Sequence, residues 1–296
     1  MAHILLVGAQ GQVGQELQDT LTAIGNVVSM NRSQLDLTHT DSIRAVIRDV
    51  VPDIIVNAAA YTAVDAAETD VDLAKAVNAI APTIMAEEAQ KAKALLVHFS
   101  TDYVFDGQKN TPYTEDDPPN PLGVYGETKL LGEDGIRRMC DRHLILRTAW
   151  VYGAKGKGNF VKTMLRLGAE REDLRVVFDQ VGTPTWARDI ANTAAWLIPL
   201  ERRGDARPGV YHVTNSGVTS WYDFAVSIFE EARQLGMPLT VNHVTPITTA
   251  DYPMPAQRPM YSILSNQKIS TVLGTTLPHW RHSLRDMLRE LVRVTS

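Results

Sequence analysis

The chain has 296 residues, 44% of them hydrophobic and 21% charged, with a net charge of -5. That is ordinary globular composition, long enough for one large or two modest domains. With no run of Lys or Arg, the acidic balance excludes an electrostatic footprint for nucleic acid or a membrane surface and favours a small-molecule partner. Cys140 is the only cysteine, which rules out an intrachain disulfide and a CxxC centre and suits a reducing cytoplasm.

The N-terminal "HILLVG" has an apolar run of only Ile4 to Val7, too short for a signal or a membrane span, and reads as a strand. "GQVGQELQDTLTAI" then reads as a helix, "NVVSM" as a strand, "TDSIRAVIRDVV" as a helix and "DIIVNA" as a strand. A long Ala-rich segment from Asp65 to Lys93 precedes "ALLVHFS", and a helix around Tyr125 to Met139 precedes the strand "HLILRTAWVYG". Strand runs that are almost wholly apolar, alternating with helices, predict an α/β fold: a Rossmann-type, doubly wound parallel sheet covered on both faces. We place this dinucleotide-binding domain at residues 1–152 and a smaller substrate lobe at 153–296, with segments free to cross back to the sheet. In that lobe "FVKTMLRLGAERED", "TPTWARDIANTAAWLIPLE" and "LPHWRHSLRDMLRELVRVT" predict helices and "LRVVFD" a strand. Pro-rich residues 245–259 predict an extended loop.

"VGAQGQVG" places Gly8, Gly11 and Gly14 directly after the first strand and at the start of the first helix. Gly8 can make the tight turn, Gly11 can admit a pyrophosphate to the backbone, and Gly14 can let helix and strand pack closely. The N–H groups that open the helix, at Gln12 and Val13, then face the phosphates. The second strand ends in Asn31 and Arg32 rather than in the acid that usually holds a ribose 2′-hydroxyl. A guanidinium there suits a 2′-phosphate, which favours NADPH and leaves NADH open; a solvated loop cation is the alternative.

"YGETK" sets Tyr125 and Lys129 four residues apart, on one face of a helix. Thr101 falls at the carboxyl end of the "LLVHFS" strand, where ligands of parallel sheets gather. With the glycine turn, these residues resemble the extended short-chain dehydrogenase/reductase superfamily. "VNAAAYTAVDAAE", "FSTDYVFDG", "NPLGVYGETKLLGE", "LRTAWVYG", "DQVGTPTWARDIA" and "QRPMYSILS" narrow the resemblance to the dTDP-4-dehydrorhamnose reductase family over essentially the whole chain.

The resemblance implies NAD(P)H-dependent reduction of the 4-keto group of dTDP-4-dehydro-β-L-rhamnose, the last step to dTDP-L-rhamnose, a donor for bacterial surface polysaccharides. It implies Tyr125 as proton donor, Lys129 as the ammonium that favours phenolate and binds the nicotinamide ribose, and Thr101 as a hydroxyl toward the substrate oxygen. Asp36 and Leu37 match an adenine-contacting pair, and Ala58, Ala59 and Ala60 offer a wall of small side chains for the cofactor. Asp102 and Trp150 match sugar-contacting positions, the indole offering a flat face to pyranose C–H groups. Arg258, in a proline-stiffened loop, suits the nucleotide pyrophosphate.

Related 4,6-dehydratases carry an Asp-Glu pair after the threonine, whereas this chain has Asp102 and Tyr103, which favours reduction. Some family members are described as magnesium-dependent dimers that use carboxylates near the first helix. This chain keeps Glu16 but sets Arg188 beside Asp189, which puts a bridging Mg2+ in doubt and leaves monomer and homodimer open. His279 and His282 lack a third metal ligand, and "TEDDPP" reads as a solvated loop. Two rival readings are a non-catalytic NADP-binding subunit, like the regulatory subunit of eukaryotic methionine adenosyltransferase, and a reductase forming the C4 epimer, 6-deoxy-L-talose.

Overall fold

The computed structural model describes residues 1–295. The first half runs β1 (Ala2–Val7), α1 (Gln12–Thr20), β2 (Gly25–Met30), α2 (Thr40–Val50), β3 (Ile54–Asn57), α3 (Val64–Ala67), α4 (Val71–Lys75), α5 (Ala81–Ala92), β4 (Leu95–Thr101), α6 (Val124–Met139) and β5 (His143–Thr148). It continues with β6 (Val151–Tyr152), α7 (Phe160–Glu170), β7 (Asp173–Val177), β8 (Val181–Gly182), β9 (Thr185–Trp186), α8 (Ala187–Arg203) and β10 (Gly209–His212). The chain closes with β11 (Thr219–Ser220), α9 (Trp221–Gln234), β12 (His243–Ile247), α10 (Gln267–Leu273) and α11 (Trp280–Thr295).

Six strands form one parallel sheet in the order β10-β5-β4-β3-β1-β2. Their apolar runs are explained by two cores, one on each face. Ile4, Leu6, Ile54, Val56, Val97 and Leu146 enter one core, while Leu5, Val7, Ile55, Leu96 and Ile145 enter the other. Because successive strand residues point to opposite faces, a sheet buried on both sides favours apolar residues at nearly every position, and exceptions such as Asn57, His98, Ser100 and Arg147 are buried and hydrogen-bonded. Helices α1 and α8 cover the first face; α2, α5 and α6 lie on the second. β10 comes from beyond residue 152 and pairs with β5, and α8 and α10 pack on the same core, so the C-terminal half returns a strand and two helices to the sheet. A third core, around Tyr152, Phe224, Phe229 and Trp280, holds the remaining C-terminal elements together.

Two local expectations are corrected, and the Ala-rich segment gains detail: it is helical up to Ala67, resumes at Val71 and carries a π turn over Ala76–Ile80. The buried Asn78 in that turn exchanges hydrogen bonds with the Tyr61 backbone (2.9 and 3.0 Å) and donates to Thr128 Oγ1 (3.3 Å), tying the chain after β3 to α6. "HLILRTAWVYG" is two strands, because Trp150 adopts φ +48° and turns β6 away to pair with β9. Pro246 lies within β12 rather than in a loop; among the described residues β12 pairs only with β7, an edge position where the missing N–H is tolerated.

Candidate active site

A cavity of about 700 Å³ runs along the carboxyl ends of the central strands, a volume suited to a cofactor-sized ligand. At one end lies the glycine turn. Gly8 has φ +83°, and a methyl group on Gly14 would collide with the Gly8 carbonyl, so α1 starts hard against β1. Gly11 is the N-cap of α1 and supplies no capping side chain, which leaves the first-turn N–H groups of Gln12 and Val13 for a ligand. Gly8, Gly11, Gln12 and Val13 all line the cavity, whereas Gly14 acts from behind through packing.

Arg32 is exposed at the same end and forms no ion pair among the described residues. Asp36 and Leu37 follow along the wall. The Thr38 backbone and hydroxyl both donate to Asp36 Oδ1 at 2.9 Å and hold this carboxyl below its usual range. Ala58, Ala59 and Ala60 form the adjoining wall after β3.

Thr101, Asp102, Tyr125, Lys129 and Trp150 line the other end. Thr101 ends β4; its hydroxyl accepts from Tyr103 N (3.2 Å) and donates to Asp102 Oδ1 (3.1 Å). Tyr125 sits in the first turn of α6. Glu68 Oε1 accepts from Val124 N at 2.9 Å, and a methyl on Gly126 would overlap the Tyr103 carbonyl, so the glycine of "YGETK" is what lets α6 approach. The Tyr103 and Tyr125 rings meet edge to face at 5.4 Å. Deeper on α6, buried Glu133 receives Arg147 Nε at 2.9 Å, Arg147 Nη2 at 2.7 Å and Ser100 Oγ at 2.6 Å, which pins the helix to β4 and β5.

The electrostatics depart from the expected phenolate-favouring pair. Burial pushes the Tyr125 phenol up to about 12; the Thr101 hydroxyl opposes this and the Asp102 charge adds to it. Lys129 Nζ instead donates to Phe99 O (2.6 Å) and lies 3.0 Å from His98 Nε2. Burial brings the lysine down to about 8, against the attraction of Glu133. Burial also raises Asp102 to about 6, although hydrogen bonds from Ser262 and Thr101 favour its anion.

Two substrate expectations change. The Trp150 indole stacks on Trp221 at 3.5 Å and 5°, so one flat face is already covered, and its left-handed backbone aims it there. Arg258 is outside the cavity lining and pairs with Asp65 at 2.7 Å, clasping the C-terminal loop to α3. The pair engages Nη2 alone, and the side chain stays partly exposed. Glu16 is likewise engaged: its Oε2 accepts from Arg188 Nε at 3.0 Å and lies 3.5 Å from Lys155 Nζ. Arg188 bridges on to Glu290 at 2.7 Å. Two cations around one carboxylate do not fit a divalent metal, and no group of three or more potential ligands occurs among the described residues. His98 and Asn57, which contact Lys129 directly and through the ring, escaped the sequence reading because they lie inside apolar strands; so did the cavity-lining Lys157.

A glycine-turn cavity that runs to a Thr, Tyr and Lys cluster on β4 and α6 defines an extended short-chain dehydrogenase/reductase. The family model described as the RmlD substrate binding domain matches residues 1–293. A dTDP-4-dehydrorhamnose reductase of Burkholderia thailandensis is 45% identical over 98% of this chain and 99% of its own, and one of Escherichia coli is 43% identical over 99% of each. The chain belongs to the dTDP-4-dehydrorhamnose reductase family. A crystal structure of the Bacillus anthracis reductase in complex with NADP superposes with a TM-score of 0.90 at 37% identity, covering 98% of this chain and 99% of that one. A Thermus thermophilus UDP-glucose 4-epimerase, 18% identical with a TM-score of 0.80, shares the fold.

Proposed function

We propose that this protein reduces the 4-keto group of dTDP-4-dehydro-β-L-rhamnose to give dTDP-L-rhamnose, using NADPH. The observation that carries the reading is one cavity joining a phosphate-binding helix start to a proton-donating cluster. When bound, the cofactor supplies a hydride from its nicotinamide. Gln12 and Val13 N–H at the start of α1 would hold the pyrophosphate, Arg32 a 2′-phosphate, and the Ala58 to Ala60 wall with Asp36 and Leu37 the adenosine half. Tyr125 gives its proton to the oxygen that becomes the alcohol, and the Thr101 hydroxyl orients that oxygen. A phenol pushed up by burial stays protonated at neutral pH, which suits a general acid that must arrive loaded. Asp102 accepts from a sugar hydroxyl, and Trp150 meets the sugar with its uncovered edge.

The substrate is a small sugar nucleotide, the setting is the cytoplasm, and the working unit is a monomer or homodimer. No helix among the described residues is long and apolar enough to cross a membrane. The test is NADPH oxidation, read from nicotinamide absorbance, with dTDP-4-dehydro-L-rhamnose made in situ and the product identified by NMR. Oxidation with the rhamnose configuration at C4 supports the reading; the talose configuration reassigns the product, and NADPH binding without turnover makes this a binding subunit.

A further inference from the structure

Lys129 is held by a buried chain of hydrogen bonds in which every donor can be assigned. Asn57, His98 and Lys129 are all essentially inaccessible. Asn57 Oδ1 accepts from Ala59 N at 3.1 Å, which orients the amide and turns its NH2 toward His98 Nδ1 at 3.1 Å. An NH2 group only donates, so His98 Nδ1 must accept and carries no hydrogen. A neutral imidazole then carries its hydrogen on Nε2, aimed at Lys129 Nζ 3.0 Å away. An ammonium has no lone pair to receive that N–H. A neutral amine has one, and still donates to Phe99 O at 2.6 Å.

We propose that His98 is a positioning residue whose Nε2–H, fixed by Asn57, biases Lys129 toward the neutral amine in the protein alone, so that the lysine gives up its proton more readily than a free side chain does. The groups around Nζ agree. On β4, burial holds His98 itself well below its ordinary range, so the ring does not add a second proton. On α6, Glu133 is the charge that favours an ammonium, but Arg147 on β5 and Ser100 on β4 occupy its oxygens. Lys129 has no carboxylate within ion-pair distance among the described residues. To become an ammonium while facing the ring, Lys129 would need the hydrogen moved to Nδ1, against the Asn57 NH2. The two β-strand residues therefore set when the lysine can help form a phenolate at Tyr125.

The tautomer rests on hydrogen bonding alone; its effect on turnover rests on the reductase reading. Long-range 1H–15N correlation spectra of the histidine-labelled wild-type protein, without cofactor or substrate, should show His98 protonated at Nε2 and bare at Nδ1. A hydrogen on Nδ1 would overturn the proposal whether or not the protein is a reductase. Asn57→Asp supplies an acceptor for Nδ1–H, and His98→Gln can offer Lys129 a carbonyl. Both changes let the ammonium form, so the alkaline limb of the kcat profile should move up by about one pH unit. An unmoved limb in both variants, with the ring spectrum as expected, would remove the link to catalysis. The His98→Gln profile also separates this role from packing, since a structural defect lowers kcat without moving the limb.

Discussion

Glu68 accepts a hydrogen bond from the backbone N–H of Val124 at 2.9 Å, so a carboxylate from the chain after α3 caps the helix that carries Tyr125. The charge also sits at the positive end of the α6 dipole. Replacing Glu68 with Ala leaves an unpaired donor beside the phenol. We expect a loss of about 1 kcal/mol in stability, as for other lost caps, together with a fall in kcat and an unchanged NADPH affinity. Thermal melts, turnover and cofactor titration check the three parts separately.

Tyr125→Phe removes the proton donor and keeps the ring packed on Tyr103. The expected fall in kcat is on the order of 10², with NADPH affinity within roughly twofold of the parent. Turnover close to the parent rate would assign the proton to another group.

Arg32 is tested by comparing cofactors. A charge-assisted bond to a 2′-phosphate contributes about 1.5–3 kcal/mol, so Arg32→Ala should weaken NADPH by roughly tenfold or more while NADH changes little. Equal weakening of both, measured by fluorescence titration, would leave Arg32 as a solvated cation.

Asp102 carries a pH signature. Its carboxyl is raised to about 6 by burial, from 3.8, so the native state binds the proton more tightly than the unfolded chain does. As pH rises between those values the native state must give up that proton at a cost, and this contribution lowers stability until it levels off above about 6. Asp102→Asn should therefore melt higher at pH 7.5, by on the order of 2–3 kcal/mol in unfolding free energy, with the gain disappearing by about pH 4. A constant difference across that range would contradict the shift.

Glu133 and Arg147 form a bidentate pair with almost no exposure. Glu133→Ala strands the guanidinium between strand and helix, and the expected destabilisation is about 3–5 kcal/mol. Adding Arg147→Met should recover much of it. Denaturant melts of the two variants give the comparison.

Much of the fold was legible because it depends on local chemistry. The apolar strand runs, the glycine turn and the four-residue spacing of Tyr125 and Lys129 each express a backbone or periodic constraint that a sequence displays directly. What was hidden depends on partners far along the chain. Nothing near Trp150 announces that Trp221 will stack on it, and Arg258 looked like a free cation until Asp65, 193 residues earlier, took its charge. His98 resembled any strand residue, because its importance lies in the Asn57 and Lys129 atoms on either side of its ring. The π turn was hidden for the same reason: the partners of Asn78 within it, Tyr61 and Thr128, lie 17 and 50 residues away.

The return of β10 to the sheet bears on how the protein is made. Synthesis proceeds from the N-terminus at about 5–20 residues per second, so β5 is finished several seconds before its neighbour exists. During that interval the Leu144–Ile145–Leu146 strand has one side unpaired, the kind of open edge that recruits other chains. The nascent protein thus passes through a stage with an open sheet edge, and a truncation before Gly209 would make that stage permanent.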